Sequence, residues 1–237
     1  SDLNVMDSLG DRNKALIFHQ KALELKIQIY GNEHPDIATC YNNIGAVYQA
    51  MGQYAKGLEN HQKSLKIKEK FFGPDHPDVS RSYYNIANAY ESLNQPEKAL
   101  QYYKAALQIR KKVFGKEHPS LGDSYLGIGL SYDSLQDREK ARKYLEKALG
   151  IFLKNYGLEH PDVSLCYLNL GHVCFCLSQF KGSQNYFFKS LKISTKVHGF
   201  KHPDLVDVLF NMGCVFNKMK DYAHAYQAYK CAYDIGK

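Results

Sequence analysis

Histidines, cysteines and carboxylates are the groups in this sequence that could do chemistry, and their spacing decides whether they can do it together. Ten histidines and six cysteines occur in 237 residues. Five of the histidines, His34, His76, His118, His160 and His202, lie in one recurring segment, Gly-x-x-His-Pro. In full it reads GNEHPD, GPDHPD, GKEHPS, GLEHPD and GFKHPD. An imidazole can act as a general base or a zinc ligand, but either role needs partners within bonding reach. The segments begin at Gly31, Gly73, Gly115, Gly157 and Gly199, a constant step of 42 residues. Each histidine therefore belongs to a different copy of one unit, and the five are not expected to act together. The cysteines, Cys40, Cys166, Cys174, Cys176, Cys214 and Cys231, contain no Cys-x-x-Cys pair. Cys174 and Cys176 stand two apart on a predicted helix, roughly 200° around its axis, which keeps them off one metal ion. They read as reduced thiols. No phosphate-cradling glycine loop, serine nucleophile elbow or His-Glu-x-x-His helix occurs, so neither catalysis nor a cofactor is expected.

The elements that must position these groups follow from the same period. After each His-Pro comes a helix, A, whose apolar stripe in the first full copy is Ile37, Tyr41, Ile44, Tyr48 and Met51. In the second copy it is Val79, Tyr83, Ile86, Tyr90 and Leu93. Steps of four and three residues keep such a stripe on one helix face. A small residue follows the central position each time: Gly45, Ala87, Gly129, Gly171 and Gly213. After a short break such as Met51-Gly52-Gln53, helix B runs from about Tyr54 to Phe72. The glycine that follows is a helix C-cap, and the proline after His belongs in the first turn of the next helix. Asp36, Asp78, Asp162 and Asp204 add a carboxylate near that helix's positive end.

The pattern Tyr83, Ile86, Ala87, Tyr90, Ala99, Tyr103 and Ala106 resembles the tetratricopeptide repeat. The 42-residue period and the His-Pro-Asp junction resemble the kinesin light chain and nephrocystin type of that repeat. The resemblance covers a partial repeat over 1–30 and repeats over 31–72, 73–114, 115–156, 157–198 and 199–237, together one domain. Cys174, Ser183, Gln184 and Leu209 depart from the family pattern. The resemblance implies an all-α, right-handed superhelical solenoid of antiparallel helix pairs, with the A helices lining a concave groove and the B helices outside.

On that assignment the groove carries an Asn one residue before the central apolar position: Asn43, Asn85, Asn169 and Asn211, with Gly127 interrupting the series. In peptide-binding relatives such an Asn bonds the backbone of an extended ligand, a task an amide suits because it both donates and accepts. The basic pairs that clamp a terminal carboxylate in co-chaperone arrays are missing. Their first site holds Asn42, Tyr84, Leu126, Leu168 and Phe210, and their second Asn4, Ala46, Asn88, Leu130, His172 and Cys214. Arg81 joins Asn43, Asn85, Asn169, Asn211, Tyr84, Asn88, Leu126, Leu130, Leu168, His172 and Phe210 as the candidate peptide-binding set. The formal charge is +7, and runs such as Lys66–Lys70 place much of it on helix B, where it complements the dipole. Nucleic acid is not the expected partner, because basic and aromatic residues do not interleave on one face. No apolar run approaches the roughly 18 residues of a membrane span, and no signal peptide is read at the N-terminus, so a cytoplasmic location is expected. The expected function is a non-enzymatic adaptor or scaffold taking a peptide in its groove, with cargo recognition as one form. The alternatives are self-association through uncapped ends, or a regulatory array attached to an enzyme domain elsewhere.

Overall fold

The computed structural model describes residues 9–200 and 202–237. All eleven elements among them are α-helices. They fall into two compact units, residues 1–115 and 116–237. The first holds α1 (Leu9–Tyr30), α2 (Pro35–Ala50), α3 (Tyr54–Phe72), α4 (Pro77–Ser92) and α5 (Pro96–Phe114). The second holds α6 (Pro119–Ser134), α7 (Arg138–Tyr156), α8 (Pro161–Cys176), α9 (Phe180–His198), α10 (Asp204–Lys218) and α11 (Tyr222–Ile235). In each unit every helix packs on the next, and the tightest partners are an A helix and its own B helix: α2 with α3, α4 with α5, α6 with α7, α8 with α9, α10 with α11.

The repeated connector explains these boundaries. The N–H of Gly73 closes α3 on the carbonyl of Glu69 at 3.0 Å, and the five junction glycines take φ between 75° and 83°, where a side chain would be strained. The next helix is capped by the histidine itself. Nδ1 of His34, His76, His118 and His160 accepts the backbone N–H two residues on, each at 3.2 Å, and His202 does so at 3.3 Å. This satisfies an orphan donor in the first turn, and the following proline lacks the N–H that would have been another. The capping ring also stacks on the residue four before it: Tyr30 on His34, Phe72 on His76, Tyr156 on His160 and His198 on His202, at 4.1–4.5 Å. At the first four junctions an ion pair ties the connector to the following helix B: Glu33 with Lys70, Asp75 with Lys112, Glu117 with Lys154, and Glu159 with Lys196.

Within a pair, the small residue of helix A admits a large one from helix B. A Cβ at Gly171 would meet the Phe187 ring at 2.6 Å, and one at Gly213 the Tyr229 ring at 2.5 Å. A second close approach lies between α6 and α7, where a Cβ on Gly122 would meet the ring of the buried Phe152 at 2.5 Å. The half-buried stripe tyrosines lie against helix B tyrosines, Tyr90 on Tyr102 at 5.4 Å and Tyr132 on Tyr144 at 5.5 Å. Lysines cover their outer faces: Lys63 over Tyr41, Lys98 over Tyr90, Lys140 over Tyr132 and Lys189 over Tyr167, at 5.3–5.7 Å. Part of the helix B lysine excess thus serves cation–π contacts, which the dipole argument alone did not anticipate. At the start, α1 runs through Gly10, although the equivalent Gly52 forms a left-handed turn. Its Phe18 and Ile29 are about 70% exposed.

His61 is the polar member of the large-residue series that continues as Tyr103, Leu145, Phe187 and Tyr229. It is buried, Nε2 bonds Gln49 Oε1 at 3.1 Å, and a Cβ on Gly45 would meet its ring at 2.8 Å. Burial first, and the Lys68 charge second, lower it from 6.5 to about 4.

Two measurements check this packing. Gly122→Ala is expected to destabilise unit two by about 1–3 kcal/mol through overpacking against Phe152. Gly150→Ala, at a helical glycine open to solvent, is expected to stabilise it by about 1 kcal/mol. Urea midpoints that moved the same way for both would contradict the fit. For His61 the unfolded chain binds a proton between pH 6.5 and 4 that the folded chain refuses, so its contribution is complete above pH 6.5 and lost as pH falls. The loss approaches about 3 kcal/mol. His61→Phe, which copies the Gly171–Phe187 pair, should flatten that part of the stability–pH curve.

Candidate peptide-binding face

Helix A presents the candidate residues at fixed positions of a 16-residue helix in four of the copies, so the unit that holds each one can be read in turn.

In unit one, Asn43 is half-buried on α2. Asn85 on α4 donates its amide to Oδ1 of Asn42 at 2.8 Å, an inter-helix bond that ties neighbouring A helices. Asn88 accepts the Tyr103 hydroxyl at 2.6 Å. That phenol is buried and held protonated well above its ordinary range. The Tyr84 ring lies 5.4 Å from that of Tyr103, and the buried Arg110 guanidinium sits 4.8 Å from its centre. Arg81 is exposed and pairs with Asp78 at 2.6 Å. Asn88 and Tyr84 are therefore anchored from beneath, and Asn85 spends one N–H on a structural bond. Asn4 lies outside the described residues.

In unit two, Asn169 and Asn211 each donate one amide N–H to their own helix, to the carbonyls of Leu165 and Asp207 at 2.8 Å. An amide has two N–H groups and an acceptor oxygen, so most of each group's capacity is uncommitted among the described residues. Leu168 is half-buried and packs on the core formed by Phe187, Val208 and Met212. Phe210 is 55% exposed and lies 5.5 Å from the Tyr229 ring, beside a shallow apolar depression with Val206 and Tyr233. Leu130 is half-buried against the α6–α9 core. Leu126 is placed differently from the sequence expectation. It belongs to that core with only 9% exposure, among Leu145, Tyr167 and Leu170. It offers a ligand little surface.

His172 forms part of a chain of polar contacts. Its Nδ1 lies 3.3 Å from Oδ2 of Asp133, its Nε2 lies 3.8 Å from the Cys176 sulfur, and Asp133 also pairs with Arg138. Burial pushes the Asp133 carboxyl up, but the hydrogen bond from His172 and the charge of Arg138 outweigh it and hold the group below its ordinary value. His172 and Asp133 are inward positions of successive A helices. Of the three residues only His172 belongs to the candidate set read from the sequence; Asp133 and Arg138, the latter from the start of helix B, are brought to it by the packing of the helices. Among the described residues no group of three or more His, Cys, Asp or Glu is disposed to hold a metal ion. None of the helices is long and apolar enough to cross a membrane.

A model of the tetratricopeptide repeat matches residues 7–56, 41–112, 96–154, 134–196 and 162–237. No curated protein sequence matches the chain. Among solved structures, BtubC (BKLC) from P. vanneervenii superposes with a TM-score of 0.76 at 18% identity, covering 99% of this chain and 91% of its own. The nearly identical, kinesin light chain-type TPR-like repeats of a Podosopora anserina protein superpose at 0.72 with 21% identity, over 86% of this chain and 96% of theirs. RapI in its apo form gives 0.70 at 18% identity, over 95% and 70%. At these identities the likeness concerns the fold. Overlapping repeat matches that run almost end to end, on helix pairs closed by one recurring junction, carry the assignment: the chain belongs to the tetratricopeptide-repeat family, as a protein–protein interaction scaffold.

Proposed function

We propose that this chain is a non-catalytic adaptor module whose helix A face takes an extended or partly helical peptide of a partner protein, cargo recognition in the cytoplasm being one such use. The observation that carries the reading is the Asn recurring at one helix A position, Asn43, Asn85, Asn169 and Asn211. Helix propensity gives no reason for an Asn there. At Asn169 and Asn211 only one N–H is committed to the helix. The remaining N–H and the oxygen suit a peptide backbone, which offers one acceptor and one donor per residue. Phe210 and the half-buried Leu168 and Leu130 supply apolar contact beside them. Short peptides held this way bind near micromolar, about −8 kcal/mol.

A second reading, self-association, is favoured by the apolar face of α1, where Ile17, Phe18, Leu25 and Ile29 are 53–71% exposed. Light scattering against concentration separates the two. A chain that stays monomeric at high micromolar concentration removes self-association, and one that assembles through α1 is dispersed by Phe18→Glu.

The test of the adaptor reading is a peptide-array screen with wild type and Asn169→Ala/Asn211→Ala. Asn85 is left in place because its bond to Asn42 is structural. Losing about 0.5–1.5 kcal/mol per hydrogen bond predicts affinity reduced roughly five- to a hundredfold with helicity unchanged by circular dichroism. If wild type captures no peptide, or the double variant binds as tightly, the reading fails.

A further inference from the structure

The 42-residue period lets one helix B position be compared across the copies: Lys68, Arg110, Phe152 and Ser194. In unit one, Lys68 is 3% exposed and donates to Ser82 Oγ at 3.1 Å, and the buried Arg110 lies over the Tyr84 ring. In unit two, Phe152 fills the position with a ring packed on Gly122. Ser194 leaves it to a hydroxymethyl group, and a cavity of about 290 Å³ opens between α8, α9 and α10.

The chemistry of that cavity is not that of a packing defect. Its floor is a cluster of buried hydroxyls: Ser164 Oγ lies 2.7 Å from Ser194 Oγ, 2.9 Å from Ser190 Oγ and 3.0 Å from the Ser190 carbonyl. Leu165, Leu168, Ile193 and Val197 form apolar walls, and Asp162, Asp204 and Asp207 line it as well. His198 and His202 face Asp204 at 3.8 and 3.4 Å, and His160 faces Asp162 at 3.5 Å. No Lys or Arg is among the described lining residues. The neighbouring A helix sharpens the contrast. Beside Lys68 it brings Asp78 and Arg81, and burial followed by that arginine pulls the ammonium down to about 8. At the equivalent positions around Ser194 it brings Asp204 and Asp207. Two copies thus bury a cation at this place from within the chain, whereas this copy keeps the space, adds a carboxylate and has no Lys or Arg among its described lining residues.

We propose that the cavity between α8, α9 and α10 is a side-chain pocket for an arginine of the partner polypeptide, its guanidinium directed at the serine floor and at Asp204 and Asp207. A guanidinium is planar, carries five donors and is weakly hydrated, so it suits hydroxyl and carboxylate acceptors between aliphatic walls better than an ammonium does. The described residues offer no set of ligands for a metal ion, and the hydroxyl and carboxylate acceptors beside apolar walls are what favour an organic cation. This inference rests on the adaptor reading and specifies one residue of its peptide.

The test is a titration of the ¹⁵N-labelled chain with N-acetyl-arginine N-methylamide and with its neutral isostere, the citrulline derivative. The arginine probe should shift the amides around Ser194, His198 and Asp204 saturably, with the citrulline probe roughly tenfold weaker or more. Ser194→Lys, which supplies from within what Lys68 supplies, should abolish the shifts without lowering the melting temperature. If that variant does not fold, Ser164→Gly/Ser194→Phe transplants the Gly122–Phe152 pair and closes the pocket instead. Asp204→Asn/Asp207→Asn should weaken the arginine probe at least about fivefold, and added salt should weaken it in wild type. Equal binding of the two probes, shifts that survive a filled pocket, or a cavity that holds only water overturns the proposal. Peptides that bind wild type and the filled-pocket variant alike would sink the pocket alone, whereas saturable arginine binding with no peptide captured would sink the adaptor reading and leave the pocket standing.

Discussion

One imidazole at each junction does two jobs on which the regularity of the chain depends. Its Nδ1 takes the first-turn N–H of the helix ahead, and at His34, His76, His160 and His202 its ring stacks on the aromatic or histidine side chain of the helix behind. A Ser, Thr or Asp would cap as well, but none has a flat apolar face to lay against the previous turn. Glycine in the left-handed region ends one helix, and proline begins the next without an N–H to satisfy. These demands leave the connector little freedom, and its length does not change from copy to copy.

A constant connector turns the chain into a series of substitutions in one environment. At the helix B position facing the small residue of helix A, the occupants are His61, Tyr103, Leu145, Phe187 and Tyr229. Volume is kept and chemistry varies, as close packing demands. Two turns along, Lys68, Arg110, Phe152 and Ser194 do not keep volume, and the consequence is a cavity beside the smallest of them. The same logic separates the asparagines. Asn85 meets Asn42 and makes an inter-helix bond, whereas Asn169 has Leu126 at the corresponding place and bonds its own helix.

What the sequence made legible follows from this. The period placed helix B over Tyr54–Phe72 and the turn at Met51–Gln53, because capping and glycine conformation are local physics written in single residues. Side-chain partners chosen in space were not legible. The Tyr41–Lys63 and Tyr167–Lys189 contacts, the His172–Asp133–Arg138 chain and the burial of Leu126 depend on rotamers and helix depth, which a stripe of apolar positions does not encode. Gly10 shows the opposite failure. The residue type of a turn is present, yet α1 runs through it, since glycine permits a left-handed bend without requiring one.

That point gains weight at the hairpin between helices A and B. Gly52 takes φ of 73° there, but Asn94, Gln136, Ser178 and Lys220 adopt 55–63° at the same place in later copies. For a residue with a side chain this conformation costs about 1–2 kcal/mol. Four unrelated side chains accept it, so the bend is imposed by the two helices that flank it rather than encoded in its own residues. The hairpin tips are therefore the positions where composition is released from the fold, and where one copy of the array can be marked as different from the next without disturbing the register of either.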